Sequence, residues 1–307
     1  MAALLVFLPM RALRLLPVIA LAGATSFAAN HLSVERERPY DLDAIPRPRA
    51  LAFLFLGNRT LAADLNWLRA VQYIGEPRGD ERGWDKLFPL VDSITDLDPG
   101  HGYAYQVAGT ILSSVGRVDE SNRILEKGTR NVPNRYILPY LRAFNAFYYD
   151  DDWPTAGRFA EISARSPGAP PHVRQNVLAY YVKGGRADAA IAFLEQSLAE
   201  AKDPDTRKAV ESQLRLARLE QAAGRLEDAV GEWRRRYVSG PFDLGQLVEE
   251  GLVPAIPADP QGGELFLDAE GRVRSTANPF RFARKPRPGE RAPEPGFRPE
   301  RQGVQTP

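Results

Sequence analysis

Gly102-Tyr103-Ala104-Tyr105-Gln106-Val107-Ala108-Gly109-Thr110-Ile111-Leu112-Ser113-Ser114-Val115-Gly116, followed by Ser121, Leu125, Gly128 and Pro133, is the stretch whose reading decides the fold. Tyr105, Ala108, Gly109 and Leu112 recur at helical spacing, Gly116 marks a turn, and Ser121, Leu125 and Gly128 give a second helix a small-large-small face. Small residues let two helices approach closely, while Leu112 and Leu125 fill the space beside them. The punctuation then repeats: Pro99, Pro133 and Pro167 are spaced by 34 and 34 residues, and Gly116, Asp150 and Gly184 keep the same interval. A fixed period in this range predicts stacked two-helix units joined by short turns.

These landmarks resemble the tetratricopeptide repeat, which alternates large and small residues on its first helix and places small, large and small positions on its second. The second unit, Tyr136 to Pro167, keeps the period, with Pro139 and Arg142 where bulk is expected and Asp150 in place of glycine. Its second helix draws on Ala156, Phe159, Ser163 and Ala164. The third unit has Val177, Leu178 and Tyr181, the turn Gly184-Gly185-Arg186, and then Ala190, Leu194 and Ser197. A fourth hairpin is expected to turn at Gly224-Arg225 before Ala229 and Trp233, although Ala190 to Ala229 spans 39 residues, five more than the period. The fold class is therefore mainly α: a tetratricopeptide-like α-solenoid of antiparallel helix pairs over residues 100–237.

Upstream, Arg11 and Arg14 precede an uncharged run from Leu15 to Asn30, read as an export signal or membrane anchor over residues 1–28. Its sixteen residues lie between the ~7–15 of a secretory core and the ~20 of a comfortable span, and Ser26-Phe27-Ala28 permits cleavage after Ala28. Either outcome exports the body. Residues 29–49, with Pro39, Pro46 and Pro48 among charges, read as an extended linker, and residues 50–99 as an N-terminal helical hairpin. In that hairpin Leu61, Leu65, Leu68 and Gln72 fall at helical spacing, with Trp67, Val71 and Ile74 widening the apolar stripe, and a second helix is expected from about Trp84 to Leu97. Asn58, Arg59, Asp64, Asn66 and Arg69 interrupt the first helix at costs too large for a membrane span.

Downstream of Tyr237, Asp243 can cap a short helix through Val248, Pro254, Pro257 and Pro260 forbid further helix, and Leu265–Leu267 and Arg272–Arg274 read as a hairpin. This small α+β module, residues 238–276, resembles the end of type II secretion pseudopilins through Leu247-Val248 to Gly251 and Asp259-Pro260-Gln261-Gly262-Gly263. Without that resemblance it reads as a cap on the last hairpin, since solenoid ends must be covered. Residues 277–307, with seven prolines and few aliphatic residues, read as a disordered tail.

Composition narrows the function. Lys plus Arg number 40 against 39 Asp plus Glu, a net charge of +1, so no whole-chain field recruits nucleic acid. The absence of cysteine excludes disulfides, thiolate metal sites and thiol nucleophiles. His31, His101 and His172 are far apart, Asp150-Asp151-Asp152 lacks calcium-loop spacing and reads as helix capping, and no phosphate loop or nucleophile elbow occurs. No cofactor, metal or catalytic residue is expected.

The tetratricopeptide resemblance implies a concave face built from the first helix of each unit and suited to a peptide or partner helix. The positions it implies are Tyr103, Gln106, Thr110 and Ser113, then Ile137, Tyr140, Phe144 and Phe147, then His172, Gln175 and Ala179. Gln106 and Thr110 do not match the lysines and asparagines of carboxylate-clamp members, so chain-end capture is not implied. The expected function is a protein–protein scaffold of the bacterial envelope, periplasmic or tethered to the inner membrane. The alternatives are a secretion or pilus accessory acting through residues 238–276, and an enzyme or polysaccharide-modifying factor with scattered acids.

Overall fold

A computed structural model of the chain describes residues 20–21, 23–27, 41–42, 44–77, 79–237, 240–241, 243–278 and 280–282. Within them the chain is mainly helical, with one two-stranded sheet near the C-terminal end. Most of the expected signal segment and linker lies outside the described residues; residues 20, 21 and 23–27 are helical. Among the described residues no helix is long and apolar enough to cross a membrane.

Order begins earlier than expected from the prolines, because α1 (Pro48–Leu54) uses Pro48 in its first turn, where a missing N–H is not missed. Leu56 and Gly57, both at positive φ, reverse the chain into α2 (Arg59–Ile74), whose start is capped by the Asn58 side chain accepting from the Leu61 amide. A short α3 (Gly79–Arg82) leads to α4 (Leu87–Leu97), which starts three residues later than Trp84. Trp84 instead packs edge-on against Tyr73 and donates its indole N–H to Asp80.

A soluble amphipathic helix buries its apolar stripe. Helix α2 does the reverse. Ala62, Ala63, Asn66, Ala70 and Tyr73 face the core, whereas Leu61, Leu65, Leu68 and Val71 are 45%, 41%, 59% and 48% exposed. The small residues win the inner face because α2 packs closely on α4, where a row of leucines would hold the two axes apart.

Three helix pairs follow: α5 (Gly102–Ser114) with α6 (Val118–Asn131), α7 (Ile137–Tyr148) with α8 (Trp153–Arg165), and α9 (Pro171–Lys183) with α10 (Ala187–Glu200). Each helix packs on the next, α5 also touches α7, and α9 also touches α11 (Pro204–Arg236). The pairs turn where the sequence punctuation lies, and each turn holds a residue in the left-handed region: Gly116 at φ 81°, Asp151 at 55° and Gly185 at 70°. Close approach is real at two glycines. A Cβ on Gly109 would collide with Leu125, and one on Gly128 would stand 2.6 Å from the Tyr105 ring. Buried polar bonds join the seams: the Ser121 hydroxyl donates to the Gly109 carbonyl at 2.6 Å, and the Asn145 amide donates to Ser121 at 2.8 Å.

The fourth hairpin does not form. Helix α11 runs unbroken for 33 residues through Gly224-Arg225. An internal glycine costs a helix only about 1 kcal/mol, and buried Leu219, Ala222, Ala223, Leu226, Ala229 and Val230 recover more by staying in register.

The C-terminal module contains α12 (Gly245–Glu249), β1 (Leu265–Leu267) and β2 (Val273–Ser275), paired antiparallel with Leu267 opposite Val273. The second strand lies one residue beyond its expected place because Asp268 takes the Arg272 amide at 2.8 Å into the turn. Leu244, Leu247 and Val273 bury against Ala223, Leu226 and Val230 of α11. Of the expected tail, residues 277, 278 and 280–282 are described, and the remainder lies outside the described residues. Arg281, 6% exposed in its side chain, meets Glu220 at 2.9 Å and Glu227 at 2.8 Å, and the Phe282 amide donates to Glu220.

Candidate functional site

The residues expected to line a groove divide into two sets. On α5, Tyr103 is 55% exposed and stands edge-on to Trp67 of α2, with ring centroids 5.9 Å apart. Gln106 and Thr110 are committed to internal bonds. The Gln106 side-chain oxygen accepts from Arg135 at 2.7 Å, and the Thr110 hydroxyl donates to the Gln106 carbonyl at 3.0 Å. Gln175 is exposed on α9.

The second set converges. Tyr140, Phe144 and Phe147 lie half-buried on α7, and Tyr148, Tyr149, Trp153 and Tyr180 join them, none of which the repeat pattern had placed there. Phe144 stacks on Tyr148 at 5.1 Å and meets Phe147 edge-on at 5.2 Å. Phe147 in turn lies 4.9 Å from Tyr180 and 5.7 Å from Trp153. Tyr140 sits edge-on to His172 at 6.1 Å. Burial, and to a smaller extent Tyr140, pushes the Tyr180 hydroxyl up to about 12, so it is a neutral donor at any physiological pH. The outer rim is open, with Tyr148 63% and Tyr149 41% exposed, and the Lys183 ammonium stands 4.7 Å over the Trp153 ring.

The turn between α7 and α8 holds this cluster together. Asp152 accepts from the Thr155 amide as the N-cap of α8, and Asp151 accepts from the Trp153 indole at 2.8 Å. Asp150 accepts from Asn122 at 3.3 Å. The aspartate run thus positions Trp153 and caps a helix. Among the described residues no group of three or more His, Cys, Asp or Glu could hold a metal ion. The missed aromatics had a signal in the sequence: Phe144, Phe147, Tyr148, Tyr149 and Trp153 crowd ten residues, denser than a helix face needs for packing alone.

Rigid rings at the surface supply contact area at little entropic cost, and a nearby ammonium favours carboxylates or aromatic faces. Such a face can bind; it offers no nucleophile–base pair. Carboxylates do converge elsewhere. A cavity of about 230 Å³ between α9, α10 and α11 is lined by Asp188, Glu220, Asp228, Arg225 and Arg281. There Arg281 bridges Glu220 and Glu227, and Asp188 pairs with Arg186 at 3.3 Å, so charges of both signs meet along this cavity.

No family model, curated protein or solved structure matches this chain.

Proposed function

We propose that the chain is a non-catalytic binding scaffold, a tetratricopeptide-like α-solenoid that holds a peptide or partner helix against the aromatic face of α7 and α9. The observation that carries this reading is the stack of Phe144, Phe147, Tyr148, Tyr149 and Tyr180. Two members of it stay open to solvent although the fold has room to bury aromatics elsewhere, as it does Tyr73 and Tyr105. Aromatic anchors at a partly desolvated centre are the usual origin of interface affinity. The basic-then-apolar segment from Arg11 to Asn30 supports placing the scaffold outside the cytoplasm of a bacterial cell, tethered or released. The C-terminal module buries Leu244, Leu247 and Val273 on α11, which favours a cap over a separate secretion interface, while Phe266 and Ile256 each stay 43% exposed.

The test is cross-linking of the full chain in its native envelope. The double variant Tyr148→Ala with Tyr149→Ala should lose the cross-linked species of the wild type while keeping its thermal midpoint, because both rings are exposed. Unchanged cross-links would remove the aromatic face from function.

A further inference from the structure

Helix α2 presents Leu61, Leu65, Leu68 and Val71 to solvent, while Ala62, Ala63, Asn66, Ala70 and Tyr73 face the core. Leu61, Leu65, Leu68 and Val71 follow one another at four- and three-residue steps, so they share one face. All four are at least 41% exposed. The corner leading into α2 adds Phe53 at 82%, Leu54 at 69% and Leu56 at 96%. Solvent-facing bulk of this kind is sparse along most of the array and dense here, and dense apolar exposure marks an interaction surface.

The surrounding charge indicates what covers it. Residues 47–74 carry Arg47, Arg49, Arg59 and Arg69 against Asp64. Arg59 donates to the carbonyls of Leu97 and Asp96, and Arg69 to the Ala44 carbonyl and the Asn66 side chain, so neither is neutralised by a carboxylate. Asp64, the one carboxylate within the stripe, faces His101 at 4.0 Å. A second copy of the chain docked on this face would bring the four arginines against their own kind. An apolar stripe flanked by cations is the pattern that settles into the headgroup boundary of an anionic bilayer.

We infer that the face of α2 bearing Leu61, Leu65, Leu68 and Val71 lies on the surface of an anionic lipid bilayer, with Arg47, Arg49 and Arg69 against the headgroups. It binds in the plane of the interface and does not span it. The contact would hold the first helix pair to the membrane and turn the aromatic face of α7 and α9 to a defined height, but the inference stands without that aromatic face having a partner.

The chain lacks cysteine, so a single introduced thiol reports one position in the full-length protein. An environment-sensitive fluorophore is attached at Leu68→Cys, and at Asp119→Cys on α6 as the control. The carrier is vesicles of phosphatidylcholine with phosphatidylglycerol. The label at 68 should be quenched by nitroxides on the lipid acyl chains and the label at 119 should not. Adding Leu61→Glu and Leu65→Glu should weaken that partitioning by about a hundredfold with the thermal midpoint unchanged. A label at 68 that stays open to aqueous quenchers in the presence of vesicles would overturn the inference. So would one already shielded without lipid: rising with protein concentration it would point to a second copy, and independent of concentration to the chain's own apolar segment.

Discussion

The two ends of the helical array solve the same problem in opposite ways. A stack of helix pairs leaves its last helix with one face uncovered, and terminal elements need a cover or a polar outer surface. At the C-terminal end, α11 is covered by α12, the hairpin and the buried Arg281, so that Leu226, Val230, Leu247 and Val273 are all nearly free of solvent. At the N-terminal end, α2 is left with leucines outward. The difference teaches that the second end is not an unfinished version of the first. Its inner face is completed with alanines, so the outer leucines are surplus to folding and available to something else.

Removing the plug from the closed end should have the largest effect. Arg281→Ala strands Glu220 and Glu227 in a low-dielectric seam, and a broken buried pair costs about 3–5 kcal/mol. Burial already pushes the Glu227 carboxyl up against the pull of Arg281, so the variant should recover stability at acid pH, where the carboxyls take protons. Urea unfolding at neutral and acid pH measures both effects; a midpoint like the wild type's would mean that the closed end is held by apolar contact alone.

Between the ends, the seam of the first pair gives the next effect. Gly128→Ala drives a methyl to 2.6 Å from the Tyr105 ring, and forced overpacking costs about 1–3 kcal/mol. The same urea experiment detects it, and a neutral outcome would show that α5 and α6 are free to separate.

A smaller and more local effect comes from acid at the hairpin. Burial pushes Asp268 up, but the Arg272 amide and the guanidiniums of Arg274 and Arg272 outweigh it and hold the carboxyl below its ordinary 3.8. A lowered carboxyl stabilises above its unfolded value and loses that contribution as pH falls through the folded one. Hydrogen exchange should therefore show the Asp268–Arg274 turn losing protection below pH 3.8 while α11 keeps its own. Simultaneous loss in both would merge the hairpin and helix into one cooperative unit.

The open end should give the smallest change of all. Leu65→Ser with Leu68→Ser should leave the unfolding midpoint within about 0.5 kcal/mol of the wild type, since both side chains face solvent. A loss of several kcal/mol would erase the contrast by showing that those leucines belong to the core.

Legibility followed the kind of residue that carried the information. Turns were readable because Gly116, Asp151 and Gly185 occupy left-handed backbone that few side chains accept, at or one residue after the Gly116, Asp150 and Gly184 that mark the repeat interval. Close helix approach was readable at Gly109 and Gly128 for a similar reason, since only a missing side chain permits it. Gly224 was misleading because glycine allows a turn without requiring one, and the apolar register of α11 outweighed it. The groove residues were half readable. Tyr140, Phe144 and Phe147 sit together, while Gln106 is tied to Arg135, a partner twenty-nine residues away that no local pattern names.

Local chemistry determined several helix starts and turns, because caps, prolines and positive-φ residues act within a few positions of themselves, but it did not determine the unbroken course of α11. It also determined that the chain contains no thiol chemistry, since cysteine is absent. Which face of a helix goes inside was decided only by tertiary structure. Hydrophobicity ranks the leucines of α2 above its alanines, yet the face turned inward carries Ala62, Ala63 and Ala70 beside Tyr73, and the packing between two helices is not a property of either one. The seating of Arg281 had the same origin: an arginine from a proline-rich tail is held because two glutamates, 54 and 61 residues before it, stand about two helical turns apart on α11.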